Sequence, residues 1–144
     1  MKTILVVDDE ARIRRIYKTL LSLEGYNVME APAAVEANEV LKKEDVDLVL
    51  LDIRMPEVEG NILWDVIGLF HRKVKVIVSS VYHVERQKRI VPYAADYYDK
   101  SQGLEVLLCK IGALLDNAPG RKNPNHTRRH DDTAYDYMTS APLW

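Results

Sequence analysis

Five short apolar runs alternate along this chain with five segments in which apolar residues recur every three or four positions. The runs fall near residues 3–8, 26–30, 47–52, 74–79 and 96–99 and read as strands. The first periodic segment keeps Ile13, Ile16, Tyr17, Leu20 and Leu21 on one face and stops at Gly25, a residue suited to ending a helix. The second begins at Pro32, which fits a first helical turn, and buries Ala37, Val40 and Leu41. The third follows Gly60 and presents Ile62, Leu63, Val66, Ile67 and Phe70. The fourth, residues 84–94, is crowded with Glu85, Arg86, Lys88 and Arg89, and Pro92 ends it early, so it should be the shortest and least stable. The fifth starts after Ser101, a candidate N-cap, and presents Leu104, Leu107, Leu108, Ile111 and Leu115.

Alternating strands and helices of this length predict an α/β fold, a parallel sheet covered on both faces. Right-handed crossovers leave few topologies. The expected one is a doubly wound, five-stranded (βα)5 sheet in the flavodoxin-like order 2-1-3-4-5, with strands 1 and 3 side by side.

Charged residues close three of the strands. Asp8 and Asp9 follow Ile4-Leu5-Val6-Val7, Asp52 follows Leu48-Val49-Leu50-Leu51, and Lys100 follows Asp96-Tyr97-Tyr98-Asp99. A charge at the end of a buried strand is costly without partners, so four of them point to one shared site. The carboxyl edge of such a sheet is where ligands bind. Three carboxylates there repel one another unless a cation sits between them, and a hard divalent ion, Mg2+ above all, suits oxygen ligands.

The chain has 144 residues, 47% of them hydrophobic and 29% charged, the profile of one globular domain. Its net charge of −2 gives no reason to expect nucleic acid or an acidic membrane as partner. A strand begins within three residues of the N-terminus and no apolar stretch is long enough to span a bilayer, which points to the cytoplasm. The single cysteine, Cys109, lies at an apolar-periodic position and reads as a core thiol. His71, His83, His126 and His130 form no zinc pattern supported by a fold, and no glycine-rich phosphate loop follows the first strand. Beyond Leu115 the composition turns to Asn, Pro, His, Arg and Asp without an apolar period. The expected division is a domain over residues 1–117 and a polar tail over 118–144, too short for an output domain. The tail's Tyr135, Tyr137, Met138, Leu143 and Trp144 are candidates to dock on a domain surface.

The chain resembles the receiver domain of the bacterial two-component response regulators. The resemblance rests on Ile4-Leu5-Val6-Val7-Asp8-Asp9-Glu10, Asp52-Ile53-Arg54-Met55-Pro56 with Gly60 beyond, Val76-Ile77-Val78-Ser79-Ser80, and Asp96-Tyr97-Tyr98-Asp99-Lys100, in that order over about residues 1–117. It implies that Asp52 accepts a phosphoryl group from a histidine kinase or phosphotransfer protein. It implies that Asp9 and Asp52 bind Mg2+ directly, Asp8 through water, and the Arg54 backbone carbonyl as well. Lys100 and the Ser79 hydroxyl would meet phosphoryl oxygens, with Ser80 as the alternative hydroxyl, and Tyr97 would be the aromatic switch. Output would pass by protein contact through the fourth helix, fifth strand and fifth helix, from a monomer or weak dimer.

Each residue has a plainer reading. Asp8 or Asp9 could cap the first helix, Lys100 could be a solvated strand-end lysine, and Tyr97 could simply pack. Two departures from the family stand out. Ser101 follows Lys100 where many relatives have proline, which leaves the isomer of that bond open. The loop Val81-Tyr82-His83-Val84 has no glycine and is bulky enough to shield Asp52 from water. Two rival functions remain. One is a receiver-like module that binds partners without being phosphorylated. The other is a haloacid-dehalogenase-type aspartyl phosphatase, which needs a second acid two residues after the nucleophile, where this chain has Arg54.

Overall fold

A computed structural model describes residues 1–54, 64–65, 67–68, 71 and 73–116. The strands are β1 (Thr3–Val7), β2 (Asn27–Ala31), β3 (Leu48–Leu51), β4 (Lys75–Ser80) and β5 (Asp96–Asp99). They form one parallel sheet in the order β2-β1-β3-β4-β5, as the alternation predicts. The helices are α1 (Ala11–Leu23), α2 (Ala34–Lys43), α3 (Val84–Ile90) and α4 (Leu104–Leu115). Here α3 and α4 are the fourth and fifth segments of the sequence reading. Of the third segment only residues 64, 65, 67 and 68 are described; all four are helical, and Ile67 is buried. Met55, Pro56, Gly60, Ile62, Leu63, Val66, Phe70 and the whole tail lie outside the described residues.

The pleat splits the core in two. Leu5, Val7, Val49, Leu51, Val76 and Val78 face Ala37, Leu41, Val91 and Tyr97. Ile4, Val6, Leu48, Leu50 and Ile77 face Ile13, Tyr17, Leu20, Leu107 and Ile111. Strands buried on both faces read as continuous apolar runs, which is why their limits were visible within about a residue.

The helix starts differ from expectation. Helix α2 begins at Ala34, not at Pro32, because β2 continues to Ala31 and Ala33 is the extended N-cap. Helix α4 begins at Leu104 with Gly103 as N-cap; Ser101 instead donates its hydroxyl to Asp99 Oδ1 at 2.7 Å. Cys109 is exposed, not in the core. It stands about 200° around the helix from Leu107, off the face that Leu104, Leu107, Ile111 and Leu115 bury. The shortness of α3, seven residues ending before Pro92, agrees with the sequence.

Helix α1 ends as its glycine predicts. Gly25 has φ +90°, its N–H donates to Ser22 O at 3.1 Å, and the Tyr26 N–H donates to Leu21 O at 3.2 Å. This double bond pattern requires a left-handed residue. Gly25→Ala is therefore expected to cost about 1 kcal/mol, although a Cβ there meets nothing within 4 Å. Urea unfolding checks this, and an unchanged midpoint would contradict it.

Candidate functional site

The order β2-β1-β3 places the carboxyl ends of β1 and β3 together, and β5 delivers the next residue, Lys100, from the far side of β4. Asp8, Asp9 and Asp52 converge there, each offering a carboxylate oxygen within 4.8 Å of the others. Asp8 and Asp52 are buried and Asp9 is exposed. Lys100, only 5% exposed, reaches Asp8 Oδ2 at 2.7 Å and Asp52 Oδ2 at 3.3 Å. The solvated-lysine reading is thus overturned. The Lys100–Ser101 bond is trans, since no described peptide bond is cis, and the lysine reaches the site nonetheless.

Backbone bonds hold the acids in place. Asp8 Oδ1 accepts the Glu10 N–H at 3.0 Å, and the Asp8 carbonyl accepts Arg14 Nη1 at 2.7 Å. Asp52 Oδ1 accepts the Arg54 N–H at 2.9 Å. The N-cap of α1 is Glu10, without a side-chain capping bond, so capping does not explain the acid pair. The Lys100 N–H donates to Ser80 O at 2.8 Å and fixes β5 against β4.

Burial, opposed by the Lys100 charge and reinforced by that of Asp8, pushes the Asp52 carboxyl above the ordinary carboxylate range. Burial alone would lower Lys100, but Asp52 and Asp8 outweigh it and hold the ammonium above its usual value. With all four groups ionised, one lysine cannot balance three carboxylates. A cluster of hard oxygen donors carrying excess negative charge fits a divalent cation of the Mg2+ type.

The two serines at the end of β4 face opposite ways. Ser79 pairs in register with Tyr98 and follows Ile77, on the face of Tyr17. The Tyr17 hydroxyl neighbours Ser79, Asp8 and Asp52, and both it and the Ser79 hydroxyl are buried without a hydrogen-bond partner. Ser80 follows Val78 on the face of Tyr97, and its Oγ accepts the Tyr82 N–H at 3.3 Å. Tyr97 is buried, its hydroxyl donating to Val91 O at 2.5 Å and accepting the Ala94 N–H at 3.2 Å. Tyr82 carries the Arg86 guanidinium 3.9 Å and that of Arg54 5.3 Å from its ring centre. Burial alone would raise Asp99, yet its two bonds from Ser101 and its contact with His83 Nδ1 at 3.3 Å hold it below the usual range. The sequence reading did not single out Arg14, Gln87 or the Tyr17 hydroxyl. The first two sit on helices where only charge and apolar period were legible.

A carboxyl whose pKa is raised on folding burdens the folded state above its unfolded value and ceases to do so below it. Asp52→Asn is therefore expected to raise the thermal midpoint of the metal-free protein near neutral pH. The gain should shrink as pH falls to about 4, where the unfolded carboxyl is itself protonated. A variant less stable than the native protein at neutral pH would mean that the Lys100 contact outweighs the burial.

Comparison with known proteins agrees with this geometry. The family model described as "Response regulator receiver domain" matches residues 4–111. The response regulator TrrA of Thermotoga maritima, crystallised in complex with Mg(2+)-BeF, is 36% identical, with a TM-score of 0.74 over 80% of this chain and 100% of that one. TrrA has also been crystallised with the histidine kinase ThkA. A CheY-like response regulator receiver domain protein of Methanospirillum hungatei is 31% identical, with a TM-score of 0.75 over 81% of this chain and 95% of that one. Among curated proteins, the "Probable transcriptional regulator ycf27" of Porphyridium aerugineum is 51% identical over 57 residues, 40% of this chain and 24% of that protein. The chain thus spans about a quarter of the length of that relative. No described helix is long and apolar enough to cross a membrane. With the sheet order, the acid cluster and the family match in agreement, the chain belongs to the response regulator receiver domains, signalling modules of two-component systems.

Proposed function

We propose that Asp52 accepts a phosphoryl group from a phosphohistidine on a histidine kinase or phosphotransfer protein. The observation that carries this is the buried Asp52 carboxylate, set 3.3 Å from Lys100 Nζ and beside Asp8 and Asp9. A carboxylate oxygen attacks phosphorus, the phosphorus–nitrogen bond to the donor imidazole breaks, and the imidazole leaves with its electron pair. The new bond is an acyl phosphate on Asp52. Lys100 lies between two carboxylates and can turn its ammonium to a phosphoryl oxygen. Asp8, Asp9, Asp52 and the Arg54 carbonyl would hold Mg2+, which supplies positive charge to the oxygens of the transferring group.

Two hydroxyls compete for the remaining phosphoryl oxygen. Ser79 is the expectation from the sequence. Ser79 is supported by its place: it follows Ile77 on the face of Tyr17, whose hydroxyl neighbours Asp8 and Asp52, and its buried Oγ has no partner, whereas Ser80 Oγ already accepts the Tyr82 N–H. The downstream contact is proposed on the surface of α3, β5 and α4, where Ile90, Tyr93 and Val106 are exposed. Tyr93 there has φ +66°, a left-handed conformation uncommon for a tyrosine. The acids, the lysine and the paired serines weigh against a receiver-like module that only binds partners. Arg54, two residues after Asp52, weighs against a phosphatase of the haloacid-dehalogenase type.

Incubation with acetyl phosphate and Mg2+ is expected to add one phosphoryl group, ~80 Da by intact mass, and Asp52→Asn should abolish the gain. Ser79→Ala should slow labelling more than Ser80→Ala. Retained labelling of Asp52→Asn would sink the acceptor assignment, and the reverse order of the serines would favour Ser80.

A further inference from the structure

Gln87, in the middle of α3, has no part in the chemistry described above. It is completely buried, at 0% exposure, in a helix whose other residues are largely charged. Its Nε2 donates to Tyr82 O at 2.7 Å and to Tyr98 O at 3.0 Å, and Ser80 O lies at 3.5 Å. All three neighbours are acceptors, so only the amide nitrogen can face them. The amide oxygen is left buried without a partner. An apolar side chain of similar size would avoid that cost. What the amide adds, and a leucine lacks, is a tie between the loop after β4 and the middle of β5.

The tied loop runs to the acid site. Tyr82 is held from below at its carbonyl by Gln87 and from its own N–H by Ser80 Oγ. Its ring carries the guanidinium groups of Arg86 and Arg54. The Arg54 N–H in turn holds Asp52 Oδ1. A contiguous path therefore runs from Gln87 through Tyr82 and Arg54 to Asp52, which is only 6% exposed.

We propose that Gln87 is a positioning residue that holds Tyr82, and with it the Arg54 and Arg86 rim, over Asp52 so that water is kept from the phosphorylated site. The proposal rests on Asp52 being the phosphoacceptor. The step it governs is hydrolysis. Water attacks phosphorus, the bond from phosphorus to the Asp52 oxygen breaks with its electron pair going to that oxygen, Asp52 returns as carboxylate, and the water oxygen leaves in inorganic phosphate, its protons shared between phosphate and solvent.

The test uses the full chain, phosphorylated with acetyl phosphate and Mg2+, freed of donor and followed by intact mass. Gln87→Leu is expected to lose its phosphoryl group roughly fivefold faster, the factor that one net hydrogen bond represents. Gln87→Met, of the same length and equally without donors, should behave alike and serves if the leucine variant folds poorly. Tyr82→Ala should also be faster, and Gln87→Leu added to it should accelerate loss no further, because coupled residues are not additive. Mg2+ affinity by calorimetry should be unchanged in Gln87→Leu, whose carboxylates are intact. Unchanged hydrolysis in both Gln87 variants, or effects that simply multiply with Tyr82→Ala, would overturn the positioning role. A native protein that gains no mass would overturn the acceptor reading itself.

Discussion

One buried ammonium facing an excess of carboxylates is the constraint on which this molecule is organised. Lys100 sits where water cannot solvate it, and only Asp8 and Asp52, at 2.7 and 3.3 Å, make that position tolerable. With Asp9 beside them, the acids outnumber the lysine. Burial makes each unbalanced charge costlier, as the raised Asp52 carboxyl reflects. The site is therefore electrostatically incomplete in the protein alone, which is the condition under which a divalent cation, or a redistribution of Lys100 toward a new anion, becomes favourable.

The fold serves that constraint from several directions. The crossover order brings β1 beside β3, and β5 arrives through its pairing with β4. Arg14 of α1 and its N-cap Glu10 pin Asp8, the Arg54 N–H pins Asp52, and Ser80 O pins the Lys100 backbone. The end of β4 is the junction. Ser79 turns to the α1 side with Tyr17, Ser80 to the α3 side with Tyr97, and Gln87 ties the following loop back to β5. The loop after β4 is thereby joined to both α3 and β5.

Most of this was legible from the chain itself, for physical reasons. Buried parallel strands leave unbroken apolar runs, and a charge at the end of one, Asp8, Asp52 or Lys100, stands out because burial makes it expensive. The helix starts were less legible: Pro32 and Ser101 are good cap residues by type, but the strand exit and the Asp99 turn had already claimed them. Cys109 fitted an apolar period yet fell off the buried stripe. The serines were ambiguous because one residue of slip changes the face in a strand. Gln87 was masked by its charged neighbours, since a buried amide leaves no mark in hydropathy. The segment 55–63, with the Met55-Pro56 and Gly60 elements of the resemblance, lies outside the described residues.

The shared-site account is tested most directly by the side-chain carboxyl carbons, followed by carbon-13 NMR through an Mg2+ titration. The account predicts that the signals of Asp8, Asp9 and Asp52 move together with one dissociation constant while the other carboxylates stay still. Signals that do not respond, or that respond with separate constants, would contradict a single cation site at the ends of β1 and β3.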